Sequence, residues 1–178
     1  MPTARDPRLS LTEWLVLCLV CERPTHGFAI ASLLSRDGSL GRVWRVPKPV
    51  IYRALPRLER LGLVTLVGQQ PTSQGPVRTL VEATGAGRAA ARNWLARPVA
   101  HTRDLRSELM LKLALLDRAG ADSRPLLRAQ RAQLAPIAAA LLSRLADAED
   151  FERKLLRWRY ETVCAALRFL DDADGAGG

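Results

Sequence analysis

The stretch PKPVIYRALPRLERLGLV, residues 47–64, decides how the rest of the chain is read. Set out at helical spacing, Val50, Leu55, Leu58 and Leu61 form an apolar stripe, while Lys48, Arg53, Arg57 and Arg60 bring cations to the remaining surface. A helix patterned this way buries one face and offers a basic one to a polyanion. Pro47 suits an extended entry and Pro49 a first helical turn, where a missing N–H is no loss. Gly62 supplies a stop, and the strand-like run of residues 63–67 follows at once. Pro56 is the irregularity: inside a regular helix it costs up to about 3 kcal/mol, so the helix is expected to bend or to start late.

The segments before this stretch read as helices. Residues 1–8 hold two prolines and no periodicity, and are expected to form a loose arm. Ser10 and Glu13 stand in capping-box register before TEWLVLCLV, a helix apolar nearly all round and therefore central to a domain. Pro24 breaks it, Thr25 is placed to cap the next helix, and Phe28, Ile30 and Leu33 or Leu34 are expected to face inward. Gly38, Ser39 and Gly41 mark a turn.

The segments after it read as a hairpin and then helices. LVTLV and VRTLV are β-rich runs separated by GQQPTSQGP, read as a long loop; Thr84 then caps a helix ending before Pro98. Residues 98–104 form a short polar connection. Leu105, Leu109, Lys112, Leu113 and Leu116 trace one face of a helix stopping near Gly120, and Ser123 caps a longer one to about Asp147, which Pro136 should kink or split. A last helix, about residues 149–170, places Phe151, Leu155, Trp158, Thr162, Ala165 and Phe169 on one stripe with Leu156 and Val163 alongside. So wide an apolar band is expected to be covered by a second copy in a symmetric dimer. The tail from Asp171 reads as disordered.

Charge separates the two halves. Residues 1–100 carry 14 Lys or Arg against 6 Asp or Glu, and residues 101–178 carry 13 against 12, so the excess of cations sits with the stretch quoted above. Taken together, the order predicts a mainly α fold with a small β wing: a winged helix-turn-helix over residues 1–98 and a helical dimerisation domain over 99–178. No signal segment or membrane span is apparent, and a cytoplasmic location is expected.

Catalytic and metal chemistry find little support. Cys18 and Cys21 form a C-x-x-C, but no second pair exists to complete a four-ligand zinc site and no βαβ pattern surrounds them. His26 and His101 lack partners at useful spacing, and no phosphate-cradling glycine loop or nucleophile elbow occurs. Neither a cofactor, a metal nor an enzymatic activity is expected.

With the elements placed, the residues resemble the PadR family of bacterial transcriptional regulators. The resemblance rests on Pro24–Phe28, on Ile51–Val64, on Gly75–Arg78 and on Thr84–Arg88; residues 106–116 look like the opening of the helical domain in the virulence-activator branch. It implies a homodimer on double-stranded operator DNA, a repressor by expectation, with Lys48 and Arg53 near base edges, Tyr52 and Arg57 toward phosphates, and Arg78 as the wing arginine. Trp94 and Trp158 are candidate residues for a small-molecule effector between domains or subunits. Val81 departs from the family pattern, which often has Tyr there. A winged-helix adaptor whose basic face meets an acidic protein is the alternative reading.

Overall fold

In the computed structural model of the protein, residues 9–71 and 77–175 are described. The expected arm at residues 1–8 and most of the wing tip, residues 72–76, lie outside them. The elements are α1 (Leu11–Glu22), α2 (Gly27–Leu33), α3 (Lys48–Arg60), β1 (Val64–Gln70), β2 (Arg78–Ala83), α4 (Gly85–Ala96), α5 (Met110–Arg118), α6 (Arg124–Ala146) and α7 (Asp150–Gly175), with short 3₁₀ and π turns over Thr102–Asp104 and Leu105–Leu109. Mainly helical with one antiparallel strand pair, this is the expected fold class. The chain forms two compact units, one running to Leu95 and including Met110–Ala119, the other joining Ala96–Leu109 to the chain from Gly120 onward.

The core of the first unit forms around α1. Ser10 Oγ accepts from the Glu13 N–H at 3.3 Å and Glu13 Oε2 accepts from the Ser10 N–H at 2.7 Å, the capping box read from the sequence. Every residue from Trp14 to Val20 is buried, as an all-round apolar helix requires. The cap of α2 is His26 rather than Thr25: His26 Nδ1 accepts from the Ala29 N–H at 3.0 Å. Thr25 is engaged elsewhere, exchanging two backbone hydrogen bonds of 3.0 and 2.8 Å with Val81 of β2. Phe28 also departs from expectation, being 48% exposed while Ile30 and Leu34 fill the core.

The helix α3 begins directly after Pro47 and runs unbroken past Pro56, so it does not start late. Pro56 and Tyr52, whose carbonyl loses its helical partner to the proline, are both exposed residues, and water can replace the missing N–H. The buried face consists of Ile51, Ala54 and Leu58; Val50 and Leu55 are only half-buried, and Leu61, already the cap residue, is exposed. The basic helix is thus rotated from the stripe expected of it. Its end follows the sequence: Gly62 has φ +68°, its N–H bonds Glu59 O, and the Leu63 N–H bonds Leu58 O, a Schellman stop that needs a residue tolerant of the left-handed region.

The wing strands are longer than their apolar runs. β1 continues through Gly68, Gln69 and Gln70, paired with Leu80, Thr79 and Arg78 after a bulge between Leu66 and Gly68. Beyond Val64 this strand is exposed, so backbone pairing forms it without the apolar alternation by which strands are recognised. Thr84 caps α4 as expected, accepting from the Gly87 N–H at 3.0 Å and donating to Gly62 O at 2.7 Å, which ties α4 to the end of α3. A Cβ on Gly87 would run into the Leu63 carbonyl oxygen, so the close approach of α4 needs glycine. From α5, Leu111 and Leu115 complete this core.

In the second unit α6 packs on α7, burying Leu126, Leu127 and Leu134 from one and Leu156, Val163 and Leu170, seven residues apart, from the other. Like α3, α6 runs unbroken through a proline, the exposed Pro136, where a kink or split was expected. The polar connection at 98–104 is anchored rather than loose: the fully buried Gln130 side chain accepts from the Val99 N–H at 2.6 Å and donates to Val99 O at 3.1 Å. The stripe expected from Leu105 to Leu116 is not one helical face, because the π turn over Leu105–Leu109 interrupts the helical register before α5. Nor does disorder begin at Asp171. The helix α7 continues to Gly175, with Asp171 and Asp174 paired to Arg131 and Arg128 of α6. Among the described residues no helix is long and apolar enough to cross a membrane.

Candidate nucleic-acid interface

Three elements of the first unit converge on one exposed cluster. At the start of α2, Gly27 is buried against the Tyr52 ring: a Cβ there would lie 2.8 Å from Tyr52 Cε1. Tyr52 itself is 51% exposed. The ring of Phe28, next in the chain, has Arg78 Cζ from the wing 4.6 Å from its centroid and Lys48 Nζ from the start of α3 at 5.6 Å. Arg53 is exposed on α3. The proximity of Arg78 also registers at His26, whose pKa is held below the ordinary histidine value by burial first and by the Arg78 charge second. The α2 cap is therefore a neutral imidazole beside a cation.

Arg57 occupies a different position. Its guanidinium meets the buried Glu13 carboxylate at 3.1 Å, joining α3 to the capping box of α1. Of the predicted residues, Lys48, Tyr52 and Arg78 gather around the beginning of α2; Arg57 is drawn toward α1. Phe28 is the member that the sequence reading missed. Its exposure had a signal: two positions beyond it, Ile30 already supplies the inward residue, and positions two apart on a helix do not share a face.

The candidate effector residues are not equivalent. Trp94 is buried and stacked on Trp14, with ring centroids 5.4 Å apart and an interplanar angle of 4°, and Lys112 Nζ sits 4.7 Å from its ring centroid. Its ring faces are occupied. Trp158 is 72% exposed on α7 and borders a cavity of about 510 Å³ together with His101, Arg103, Leu141 and Arg159. Cys18 is buried and Cys21 half-buried, and burial raises the pKa of both thiols, so the C-x-x-C is a pair of protonated thiols. Among the described residues no group of three His, Cys, Asp or Glu side chains is placed to hold a metal ion.

Residues 16–93, from α1 to near the end of α4, match the Transcriptional regulator PadR-like family. That stretch, under half of the chain, is similar to a PadR-like domain. Solved structures similar to the chain include Bacillus subtilis PadR in complex with operator DNA, at 18% identity over 94% of this chain and 99% of that one, with a TM-score of 0.48. The same protein in complex with p-coumaric acid gives 17% identity, 94% and 98% coverage and a TM-score of 0.45. The Vibrio cholerae virulence activator AphA gives 23% identity, 94% and 97% coverage and a TM-score of 0.42. No curated protein matches. Within residues 16–93 the helix that carries Lys48, Tyr52 and Arg53 is the third, and the strand pair that carries Arg78 is the wing.

Proposed function

We propose that the chain is a cytoplasmic, homodimeric repressor that binds a near-palindromic operator. The observation that carries this reading is the gathering of Lys48, Tyr52 and Arg78 around the start of α2, with Arg53 exposed on the same reading helix. Lys48 and Arg53 lie in the first half of α3 and reach base edges in the major groove; the Tyr52 hydroxyl and Arg78 meet backbone phosphates. Arg57, tethered to Glu13, supports the helix and presents only its outer edge to DNA.

The module up to about residue 98, with α5 completing its core, reads DNA, and the remaining helices hold the dimer. Support for the second role comes from the exposed apolar residues of α7: Phe151 (73%), Trp158 and Phe169 form a stripe apart from the face packed on α6. In a two-fold dimer the two reading helices enter successive major grooves about 34–36 Å apart. A small-molecule effector would be taken at Trp158 rather than at the covered Trp94.

The test is a mobility shift against DNA upstream of the protein's own gene across a salt series. If the dimer neutralises about eight phosphates, log affinity falls against log salt with a slope of about −7. A shift insensitive to salt, or recovery of no preferred fragment from genomic DNA, would favour the adaptor reading.

A further inference from the structure

Phe28 is half exposed, contributes little to the core, and lies where three elements meet. A large aromatic side chain left open to water forfeits burial, so its placement invites a physical reason. The neighbours supply one. The Arg78 guanidinium carbon is 4.6 Å from the ring centroid and the Lys48 ammonium 5.6 Å, both within reach of the ring quadrupole. Neither cation has a carboxylate partner among the described residues. Among the described residues, the Phe28 ring is the partner that Arg78 and Lys48 share. A guanidinium held by an aromatic ring is not consumed by a carboxylate, so its N–H donors remain available to phosphate.

The backbone under the ring is fixed from two sides. The paired Thr25–Val81 hydrogen bonds lock the turn before α2 to the wing strand, and the absent side chain of Gly27 lets Tyr52 of α3 close on the same turn. Wing and reading helix are thus brought to one place by residues 25–28, and the Phe28 ring holds the cation that each contributes.

We propose that Phe28 is a positioning residue for DNA binding: its ring holds Arg78 and Lys48 in register with each other, so that wing and reading helix engage the duplex as one rigid surface. This rests on the DNA-binding reading above. Holding the two side chains before binding reduces the ordering cost of the complex, and the effect appears as affinity without a base contact.

Two measurements test the proposal, one of them without DNA. In the free full-length protein, the Arg78 side-chain protons are shifted upfield by the ring in nuclear magnetic resonance spectra, and the shift disappears in Phe28→Leu; unperturbed Arg78 signals in the wild type would overturn the proposal. On a duplex enriched from a random-sequence pool by the wild-type protein, Phe28→Leu weakens binding about tenfold, the scale of two exposed cation–π contacts, with an unchanged melting temperature, and Phe28→Trp restores it. In an Arg78→Ala background the same Phe28→Leu change costs less than it does in the wild type. Equal losses in both backgrounds would show that Phe28 does not act through Arg78. If the wild type enriches no duplex, the DNA-binding reading fails, and the resonance shift still reports on the cation–ring geometry by itself.

Discussion

The two units treat their charges and aromatics in opposite ways. On the reading face of the first, Lys48, Arg53 and Arg78 have no carboxylate partner among the described residues, and one aromatic ring lies between two of them. On the second, Arg128, Arg131, Arg144 and Arg157 are each paired with Asp174, Asp171, Glu152 and Glu161, while Phe151, Trp158 and Phe169 stand exposed. Unpaired cations are well solvated, and they remain available to a polyanion, which they bind by releasing its counterions. Exposed aromatics gain from being covered, and internally paired charges beside them limit the electrostatic penalty of bringing two like surfaces together. One surface is therefore suited to a phosphate backbone and the other to protein.

Neighbouring residues of α7 offer the largest test of this contrast. Leu156→Ala is expected to lower the unfolding free energy by about 2–5 kcal/mol, because Leu156 is 1% exposed against α6. Trp158→Ala, two residues on, should leave unfolding of the monomer unchanged and raise the dimer dissociation constant about tenfold or more in sedimentation equilibrium. Unchanged association would break the assignment of that face to a partner copy. Next in size, the double change Lys48→Ala, Arg53→Ala should weaken operator binding by more than about 100-fold with the dimer intact. Retained affinity in the mobility shift would mean that the reading surface lies elsewhere.

Two smaller effects sharpen the account of the first unit. Glu13→Ala removes both half of the α1 capping box and the Arg57 ion pair, and should cost about 1 kcal/mol in chemical denaturation. The acid side of the stability profile should carry a minor contribution from His26. Its folded pKa is depressed, so the unfolded chain takes up the proton first. Stability is then complete above the ordinary histidine value, near pH 6.5, and falls as the pH drops through the lower folded value. His26→Asn, which keeps a side-chain acceptor for the cap, should remove that part of the slope.

How far the chain could be read depended on whether a feature's cause lay within a few residues. The Ser10–Glu13 box, the Gly62 stop and the Thr84 cap are short-range hydrogen-bond or dihedral requirements, and the residues announce them. The cap of α2 went to His26 because Thr25 is drawn to Val81, a partner 56 positions away that no local pattern displays. The two internal prolines illustrate the same limit: Pro56 and Pro136 each lie on an exposed side of a helix whose other side is packed, so packing carries the helix through residues that would end it in isolation.

For the candidate interface, the sequence alone determined that a basic helix precedes a wing, since amphipathic spacing and turn residues are properties of the chain. It placed Lys48, Tyr52, Arg53 and Arg78 at the surface. Which of these meet was decided by tertiary structure: the buried face of α3 is set by what Ile51, Ala54 and Leu58 pack against, and that rotation points Lys48 toward Phe28 and Arg57 toward Glu13. The β1–β2 register and the Thr25–Val81 bridge bring Arg78 to the same ring. Helical periodicity defines a face only to within a residue or so, and a contact between side chains 20 or 50 positions apart, as Lys48 and Arg78 are from Phe28, depends on distances that only the packed core supplies.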